Sequence, residues 1–350
     1  LYEGRMVHNF DHAQKAYEGG EGRQARWRDL PITEKQLSVR VFTTVTEERT
    51  PPLSRVVFCD VTGATNERTA LAALIGEGNL AGNATPTLSF ADWPGAAVFL
   101  PVLASLVADH LLRQRVHTHL NLTYLSRLPI PLRGTVPPGT AAEIVRIAGL
   151  LSCTTPELAD AWAEINPGQP WSYDSAERDP WARGVLRAEL DAIVADLYGL
   201  SVPEYARILA AFPLLDRDHP PLPGDAFVTD ASGALPPEQE GISWQQTPFG
   251  VYELKPRSFI TRDLALSTFM ARKGYAPPQD LHRFYVEEVG LDPDGPLSRF
   301  RIGPERDLLD RVHLARELGA IPYVPSGRGG FGGGGNDDTE TQEPAEGTEA

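Results

Sequence analysis

The N-terminal third of the chain alternates between short β-branched runs and longer apolar segments. Residues 38–46 (SVRVFTTVT) and 54–61 (SRVVFCDV) predict strands, of which the second is the more buried. Residues 69–75 (TALAALI) have no clear period, so they fit either a strand or a short helix. Residues 96–115 are apolar on almost every side, a pattern that predicts one long buried helix.

The middle of the chain has the period of amphipathic helices. After a helix start at Asp179-Pro180, apolar residues recur every three to four positions until Gly199 ends the stripe. Ser201 and Glu204 form a capping box, which predicts that another helix begins there.

The C-terminal third combines helical and irregular segments. Residues 225–247 look irregular. Three helices, each followed by a glycine, are predicted over residues 261–273, 279–289 and 304–318. Residues 326–350 are rich in glycine and then in acidic residues, with no apolar face to bury, so they predict a disordered tail.

These elements together predict an α+β fold. Residues 1–135 form a mixed-sheet domain that contains the long buried helix, and the prolines near residue 135 mark its end. A helical domain follows over residues 136–222, then a helical extension over residues 223–325 and the disordered acidic tail over residues 326–350.

The net charge of −15 argues against a nucleic-acid partner, but the acidic residues are unevenly placed. Residues 1–135 contain 14 Lys and Arg against 13 Asp and Glu, whereas residues 136–350 contain 18 against 34. The first part is therefore near neutral, at +1, and the second carries −16. A near-neutral domain can still present one basic face to a phosphate backbone.

The chain contains no pattern typical of secretion or membrane insertion. Its first residue is Leu1, which we interpret as the start of a fragment, and the apolar stretch 96–107 is short and interrupted by Pro101. We therefore expect a cytoplasmic protein without membrane contact. Cys59 and Cys153 lie in apolar surroundings and predict buried thiols.

Three polar clusters are candidates for DNA contact. Asparagine side chains match adenine edges, and arginine matches guanine edges or phosphates. The first cluster, in one loop region, contains Thr62, Thr65, Asn66, Glu67, Arg68, Asn79 and Asn83. The others are His117, His119, Asn121 and Thr123 after the long apolar segment, and Arg23, Arg26 and Arg28 around Trp27. Ordinary turn chemistry or a solvated surface accounts for the same residues equally well.

Two histidine pairs have spacings that suit a metal, His8 with His12 and His117 with His119. Neither is followed by the glutamate or cysteine pair of a known metal motif, so we predict packing or hydrogen-bonding histidines and no metal. The nucleophile and base of an independent hydrolase are not apparent either.

Four blocks, in order, carry a resemblance to a known family. They are LYEGRMVHNFDH, RVVFCDVTGATNERT, LASLVADHLLRQRVHTHLNLTYLSRLPIP and LRAELDAIVADLYGLSVPEYARILAAFP. The chain resembles the C-terminal part of large adenine-specific DNA methyltransferases of the type IIG restriction–modification and phage-defence class, strongly over residues 1–215 and weakly over 216–325. It departs at Ala13, where the family often has arginine, and at residues 76–86, which lack a usual proline.

The resemblance implies a target-recognition region that binds double-stranded DNA. An upstream catalytic domain of the parent enzyme would use S-adenosylmethionine, while this chain holds no cofactor and no catalytic residue. Its nearest match to the catalytic Asn/Asp-Pro-Pro-aromatic loop, at residues 166–169, lacks the second proline and the aromatic residue. No glycine-rich cradle for the cofactor is evident, since the glycines of residues 76–83 have no clear pairing with a following helix.

The resemblance also suggests positions that face DNA or the catalytic domain. They are Arg5, Asn66, Arg68, Asn79, Asn83, His117, His119 and Asn121. The structural alternative is that Asp60, Glu67 and Arg68 form a buried salt-bridged turn. A different class of function is also open, a protein-interaction or scaffolding module of a defence complex without DNA contact, which the acidic second part favours.

Overall fold

The structure is a computed structural model that describes residues 1–42, 54–63, 66–76, 78–131, 133–212, 244–247, 250–253, 261–291 and 308–317. Several predicted features fall wholly or partly outside these residues. They are the end of the strand at 38–46, most of the irregular segment 225–247, the ends of the helix at 304–318, and the acidic tail 326–350.

Short strands lie mainly in the N-terminal third and helices dominate the remainder. The strands are β1 (Lys15–Gly19), β2 (Arg26–Asp29), β3 (Arg55–Phe58), β4 (Ala72–Ile75), β5 (Thr87–Ser89), β6 (Trp244–Thr247) and β7 (Gly250–Glu253). The α-helices are α1 (Trp93–Ala104), α2 (Leu106–Arg113), α3 (Leu122–Leu125), α4 (Pro138–Ser152), α5 (Ala159–Ile165), α6 (Pro180–Leu197), α7 (Val202–Ala210), α8 (Thr261–Arg272), α9 (Leu281–Arg283) and α10 (Leu308–Glu317). A π-helical turn, Phe284–Glu288, continues α9.

The α+β class predicted from the sequence is confirmed, with sheets that are antiparallel rather than mixed. In the largest sheet β3 is central, and Val56 pairs with Leu74 of β4 on one side and Leu88 of β5 on the other. All four residues of β3 are buried, as the apolar run predicts. Among the described residues the parallel pairing is confined to an isolated bridge between Tyr2 and Ala81.

The single long helix predicted over residues 96–115 is wrong, because the segment forms two helices bent by 57°. Ser105, between them, has an extended backbone, and its hydroxyl accepts a hydrogen bond from the Ala108 amide at 3.1 Å to cap α2. Pro101 lies inside α1 and has no N–H for the helical ladder, which weakens the helix one turn before the break. The carboxylate of Asp191 accepts from the Leu106 amide at 2.8 Å and completes the new N-terminus.

The main hydrophobic core continues across the predicted boundary at residue 135. One cluster of buried side chains includes Val56 of β3 and Leu100 of α1 together with Ile144 of α4 and Ile193 of α6. The sheet region and the following helices therefore share a core. No single helix among the described residues is long and apolar enough to cross a membrane, although the bent α1–α2 pair passes by length and composition only.

Helix ends in the middle of the chain follow the predicted capping residues. The Asp179 carboxylate accepts from the Ala182 amide at 2.8 Å, so α6 begins where the sequence predicts. Gly199 follows α6 with a φ of 69°, the left-handed conformation that suits glycine after a helix. The capping box of Ser201 and Glu204 is present at α7. The predicted irregular segment, by contrast, is wrong for residues 244–247, which form β6.

Candidate nucleic-acid interface

A cleft of about 710 Å³ opens in the sheet region and gathers four of the eight predicted DNA-facing residues. Its walls come from the N-terminal segment, from β1 and β2, from residues 40–41 and from the loops after β3 and before β5. Arg5, Asn66, Arg68 and Asn83 all line it. Residues far apart in sequence thus meet at one concave surface.

Backbone hydrogen bonds tie the segments of the cleft to the central strand. The Cys59 thiol, just after β3, donates to the Gly4 carbonyl at 3.0 Å, which fixes the short 3-10 turn Gly4–Met6. The Tyr2 amide donates to the Leu80 carbonyl at 2.7 Å. The Asp60 amide donates to the Ala84 carbonyl at 3.0 Å. The cleft walls are therefore set by the sheet, which makes the side chains on them well placed to bind.

The cysteines have structural roles, as the sequence predicts. Both Cys59 and Cys153 are free, buried thiols. Burial raises the pKa of each to about 12, so the thiolate is unpopulated at neutral pH.

Positive side chains outnumber carboxylates among the described residues of the cleft. Arg5, Lys15, Arg40 and Arg68 line it against Glu3 and Glu67. Arg40 pairs with Glu3 at 2.8 Å, and Lys15 lies 3.4 Å from Asp29. The Arg5 guanidinium is exposed and lies 5.4 Å from the ring centre of Trp27. This local excess of cations contrasts with the net charge of −15.

Lys15 and Arg40 are cleft cations that no sequence pattern predicts. Lys15 opens β1, and Arg40 lies in a segment predicted as an ordinary strand. Neither residue lies in a polar cluster or a motif. The pairing of Glu3 with Arg40 helps to hold this part of the chain at the cleft, and no local sequence signal marks such a contact.

Arg68 is largely committed to contacts inside the protein. Its guanidinium donates to the Ala104 carbonyl and lies 3.7 Å from the Asp109 carboxylate, and 11% of its side chain is exposed. Asp109 is fully buried and also pairs with Arg113 at 2.7 Å. The position of Arg68 therefore favours the structural alternative, with Asp109 as the partner in place of the predicted Asp60.

The histidine cluster lies at the end of β3, outside the cleft. His119 Nδ1 is 3.1 Å from the Asp60 carboxylate, and the Leu120 amide donates to the Asp60 carbonyl at 2.7 Å. His117 is exposed nearby in sequence. The Asn121 side-chain oxygen caps α3 by accepting from the Thr123 and Tyr124 amides at 3.0 and 3.2 Å.

Asn79 and the tryptophan-flanking arginines are also placed apart from the cleft interior. Asn79 lines a neighbouring pocket and lies 3.4 Å from the Gly76 carbonyl through its amide nitrogen. Arg28 pairs with Glu18 and Glu34 at 3.4 and 3.1 Å. Arg26 is exposed on β2, and the side chain of Arg23 lies outside the described part of the structure. The three predicted clusters therefore do not form a single site.

His12 is part of a buried hydrogen-bonded chain. Its Nδ1 lies 2.6 Å from the Tyr2 hydroxyl and its Nε2 lies 2.8 Å from the Thr155 hydroxyl, so both ring nitrogens are occupied. Asp11, beside it, pairs with Lys35 at 2.6 Å. Burial raises the pKa of Asp11, but the Lys35 ammonium outweighs burial and the pKa of Asp11 is lowered. Among the described residues no group of three or more His, Cys, Asp or Glu is placed to hold a metal ion.

The two histidines of the N-terminal motif predict a pH-dependent stability. Burial, followed by the nearby Arg187, lowers the pKa of His8 to about 3, and burial lowers the pKa of His12. Their unfolded pKa is about 6.5, so the unfolded chain takes up protons that the folded chain excludes as the pH falls. The stabilisation is present above that pH and is lost below it, at about 1.4 kcal/mol per pH unit for each histidine.

Urea unfolding followed across the range from about pH 7.5 down to about pH 5 measures this loss, because most carboxylates stay ionised there. We expect a shallower slope in His8→Phe, since one of the two histidines is removed. His313→Ala, on the exposed face of α10, should keep the slope of the unmodified protein. A profile that is flat below pH 6.5 would contradict the prediction.

The glycines of the loop at 76–83 do not suit the methyl-donor cofactor of the resembled family. A glycine cradle for such a ligand leads into a helix N-terminus, whereas the next regular element here is the strand β5. Gly76 instead lies against the backbone of Glu157, and Gly82 lies against the Tyr2 carbonyl. These glycines allow close backbone packing, so we assign no S-adenosylmethionine contact to the described residues.

Comparison with known proteins gives no relative on which to base a function. No family model matches the chain, and neither a curated protein nor a solved structure matches it.

Proposed function

We propose that this chain is the DNA target-recognition portion of an adenine-specific DNA methyltransferase of the restriction–modification or phage-defence class. It binds double-stranded DNA and selects the target sequence. An upstream catalytic domain of the parent enzyme extrudes the adenine and methylates it from S-adenosylmethionine. This chain contributes no residue to methyl transfer.

The observation that carries the proposal is the meeting of Arg5, Asn66 and Asn83 around one cleft whose lining has more cationic side chains than carboxylates. Arginine binds phosphates or guanine edges, and asparagine binds adenine edges, so these are the side-chain types that DNA reading needs. A local excess of cations on an acidic protein attracts a polyanion to that surface and away from the others. Arg68 holds the cleft wall in place through its hydrogen bond to the Ala104 carbonyl and its ion pair with Asp109.

The cluster at the end of β3 extends the proposed contact. The side chain of His119 is 57% exposed and that of Asp60 is 23% exposed. Residues 60–62 pair with residues 118–120. His117 and Asn121 are exposed in the same segment. Asn121 uses its side-chain oxygen to cap α3, which leaves its amide N–H groups to donate to a phosphate.

Binding of the chain to a random-sequence DNA duplex tests the proposal through its salt dependence. We expect Arg5→Ala to weaken binding by about tenfold and to reduce the slope of log affinity against log salt by about one, because one phosphate contact is lost. Fluorescence anisotropy at several salt concentrations measures both. Arg146→Ala is the matched control, since it removes an exposed arginine on α4 outside the cleft.

Two results would overturn the proposal. One is no DNA binding at low salt by the folded chain, which would leave the protein-interaction module as the function to test. The other is an equal effect of Arg5→Ala and Arg146→Ala, which would place the contact outside the cleft. The gene sequence upstream of the Leu1 codon tests the link to a methyltransferase, because the proposal requires an in-frame Asn-Pro-Pro-aromatic motif there.

A further inference from the structure

The interior of the cleft forms a hollow whose size suits one nucleotide. Its volume of about 710 Å³ falls within the roughly 300–1,000 Å³ of sites that enclose small ligands. A DNA duplex is a convex rod, and its major groove receives protruding helices or ribbons from the protein. Side chains at the cleft surface can face the duplex, whereas the concave interior suits a smaller ligand.

The walls of the hollow are largely apolar, which suits the flat ring of a base. Val7, Val41, Val61 and Leu71 line it, together with Trp27. Val61 is 48% exposed, an unusual position for an aliphatic side chain at the end of a buried strand. Bases bind such surfaces by stacking and apolar contact, whereas a sugar–phosphate backbone gains nothing from them.

His8 lines the same cleft with its ring nitrogens free for a ligand. Its backbone is fixed by hydrogen bonds to Asp11, and its imidazole has no hydrogen-bond partner among the described residues. The lowered pKa keeps the ring neutral at physiological pH, so it has one N–H donor and one acceptor. A base edge presents donors and acceptors of this kind. The Asn66 amide, 3.5 Å from the Thr62 hydroxyl, lies on the wall of the same cleft.

The charge around the hollow suits a phosphate attached to that base. Arg5 is exposed at the cleft, and Lys15 of β1 lines the same cleft. Arg68 also lines the cleft, and Arg187 and Arg68 act on His8 through their positive charge, opposed by Asp11. An apolar cavity with a neutral hydrogen-bonding group and surrounding cations fits an anionic aromatic ligand.

We propose that this cleft binds one unstacked deoxynucleotide, with the base against Trp27 and Leu71, its edge at His8 and Asn66, and its phosphate at Arg5. The inference rests on the proposed function, since it takes the nucleotide to be part of the bound DNA. An unpaired or extruded base next to the target site would then enter this chain, while the adenine to be methylated enters the catalytic domain.

Calorimetric titration of the full chain with the four deoxynucleoside monophosphates tests the proposal directly. We expect at least one to bind with a dissociation constant near or below about 1 mM. Inorganic phosphate and the matching deoxynucleoside should each bind about tenfold more weakly, because each keeps only part of the contacts. Equal binding of phosphate and nucleotide would overturn the assignment of the base pocket, and so would the absence of nucleotide binding.

Variants locate the binding in the cleft. His8→Phe and Asn66→Ala should each weaken the best nucleotide by about tenfold, since each removes a hydrogen bond to the base edge. Asn66 lies in a loop, so Asn66→Ala should fold and can test the proposal even if His8→Phe does not fold. His313→Ala is the matched control on α10 and should bind as the unmodified chain does. Unchanged affinity in both cleft variants would overturn the proposal.

The same titrations separate this inference from the proposed function. Duplex binding with no nucleotide binding would contradict the proposed nucleotide site and leave the proposed recognition function standing. Nucleotide binding with no duplex binding would contradict the proposed recognition function and support a nucleotide site. As a further check, duplexes with a mismatch or an unpaired base should bind more tightly than a perfect duplex, because less unstacking is needed.

Discussion

Asp109→Ala should lower the free energy of unfolding by about 4 kcal/mol, because it leaves buried cations without their carboxylate partner. The Asp109 side chain is fully buried at the start of α2. Its carboxylate accepts from the Thr69 and Ala70 amides at 2.7 and 3.1 Å and pairs with Arg113 at 2.7 Å. Removing it strands two amide donors and a guanidinium in a site that water does not reach.

Urea unfolding of the variant measures the loss, and two comparisons assign it. Asp160→Ala removes an exposed aspartate at the start of α5 and should change stability by less than about 0.5 kcal/mol. The double variant with Arg68→Ala should lose less than the sum of the single losses, since Arg68 lies 3.7 Å from Asp109. Additive losses would show that the two residues act independently and that Arg68 is available for another role.

The cause of the break between α1 and α2 also explains why the sequence pattern predicts a single helix. Apolar residues continue without interruption from α1 into α2, so the hydrophobic pattern predicts one buried helix. The break depends on Asp191, more than eighty positions later, which accepts from the Leu106 amide. Burial raises the pKa of Asp191, which is the cost of placing a carboxylate there. A cap supplied from a distant helix leaves no mark in the local sequence.

The sequence predicts a helix start correctly where the capping contact is made by residues close together in the chain. The start of α6 at Asp179 and the capping box of α7 involve residues at most three positions apart, and both are present. Strand β3 is also predicted, because three of its four residues are apolar, and all four are buried in the structure. The ambiguous run at 69–75 became β4 because it pairs with β3, a choice made by tertiary contact.

Part of the candidate site can be predicted from the sequence, because the chemistry of a side chain indicates what it can bind. Arg5, Asn66 and Asn83 were chosen for their chemistry and resemblance, and they meet in one cleft. Arg68 was chosen on the same grounds, yet its guanidinium is used by Ala104 and Asp109. An arginine that reads DNA and an arginine that locks a turn look alike in one sequence, and only the partner distinguishes them.

Gly76→Ala should destabilise the protein by about 3 kcal/mol or more, because the new methyl group has no space. A Cβ at this position would lie 1.9 Å from the carbonyl oxygen of Glu157 and 2.8 Å from its carbonyl carbon. Both atoms are backbone, so a rotamer change cannot relieve the clash. The contact joins the end of β4 to the 3-10 turn Pro156–Leu158, and Arg55 reinforces it by donating to the Gly76 carbonyl at 3.0 Å.

The matched control for this prediction is another glycine. Gly139→Ala lies in the first turn of α4 with no atom near the added Cβ, so it should be neutral or stabilise by up to about 1 kcal/mol. Urea unfolding of the two variants measures the difference. Equal stability of both would mean that β4 and the 156–158 turn do not approach so closely. A large loss in Gly76→Ala alone would show that the stability of the sheet region depends on its contact with the 156–158 turn.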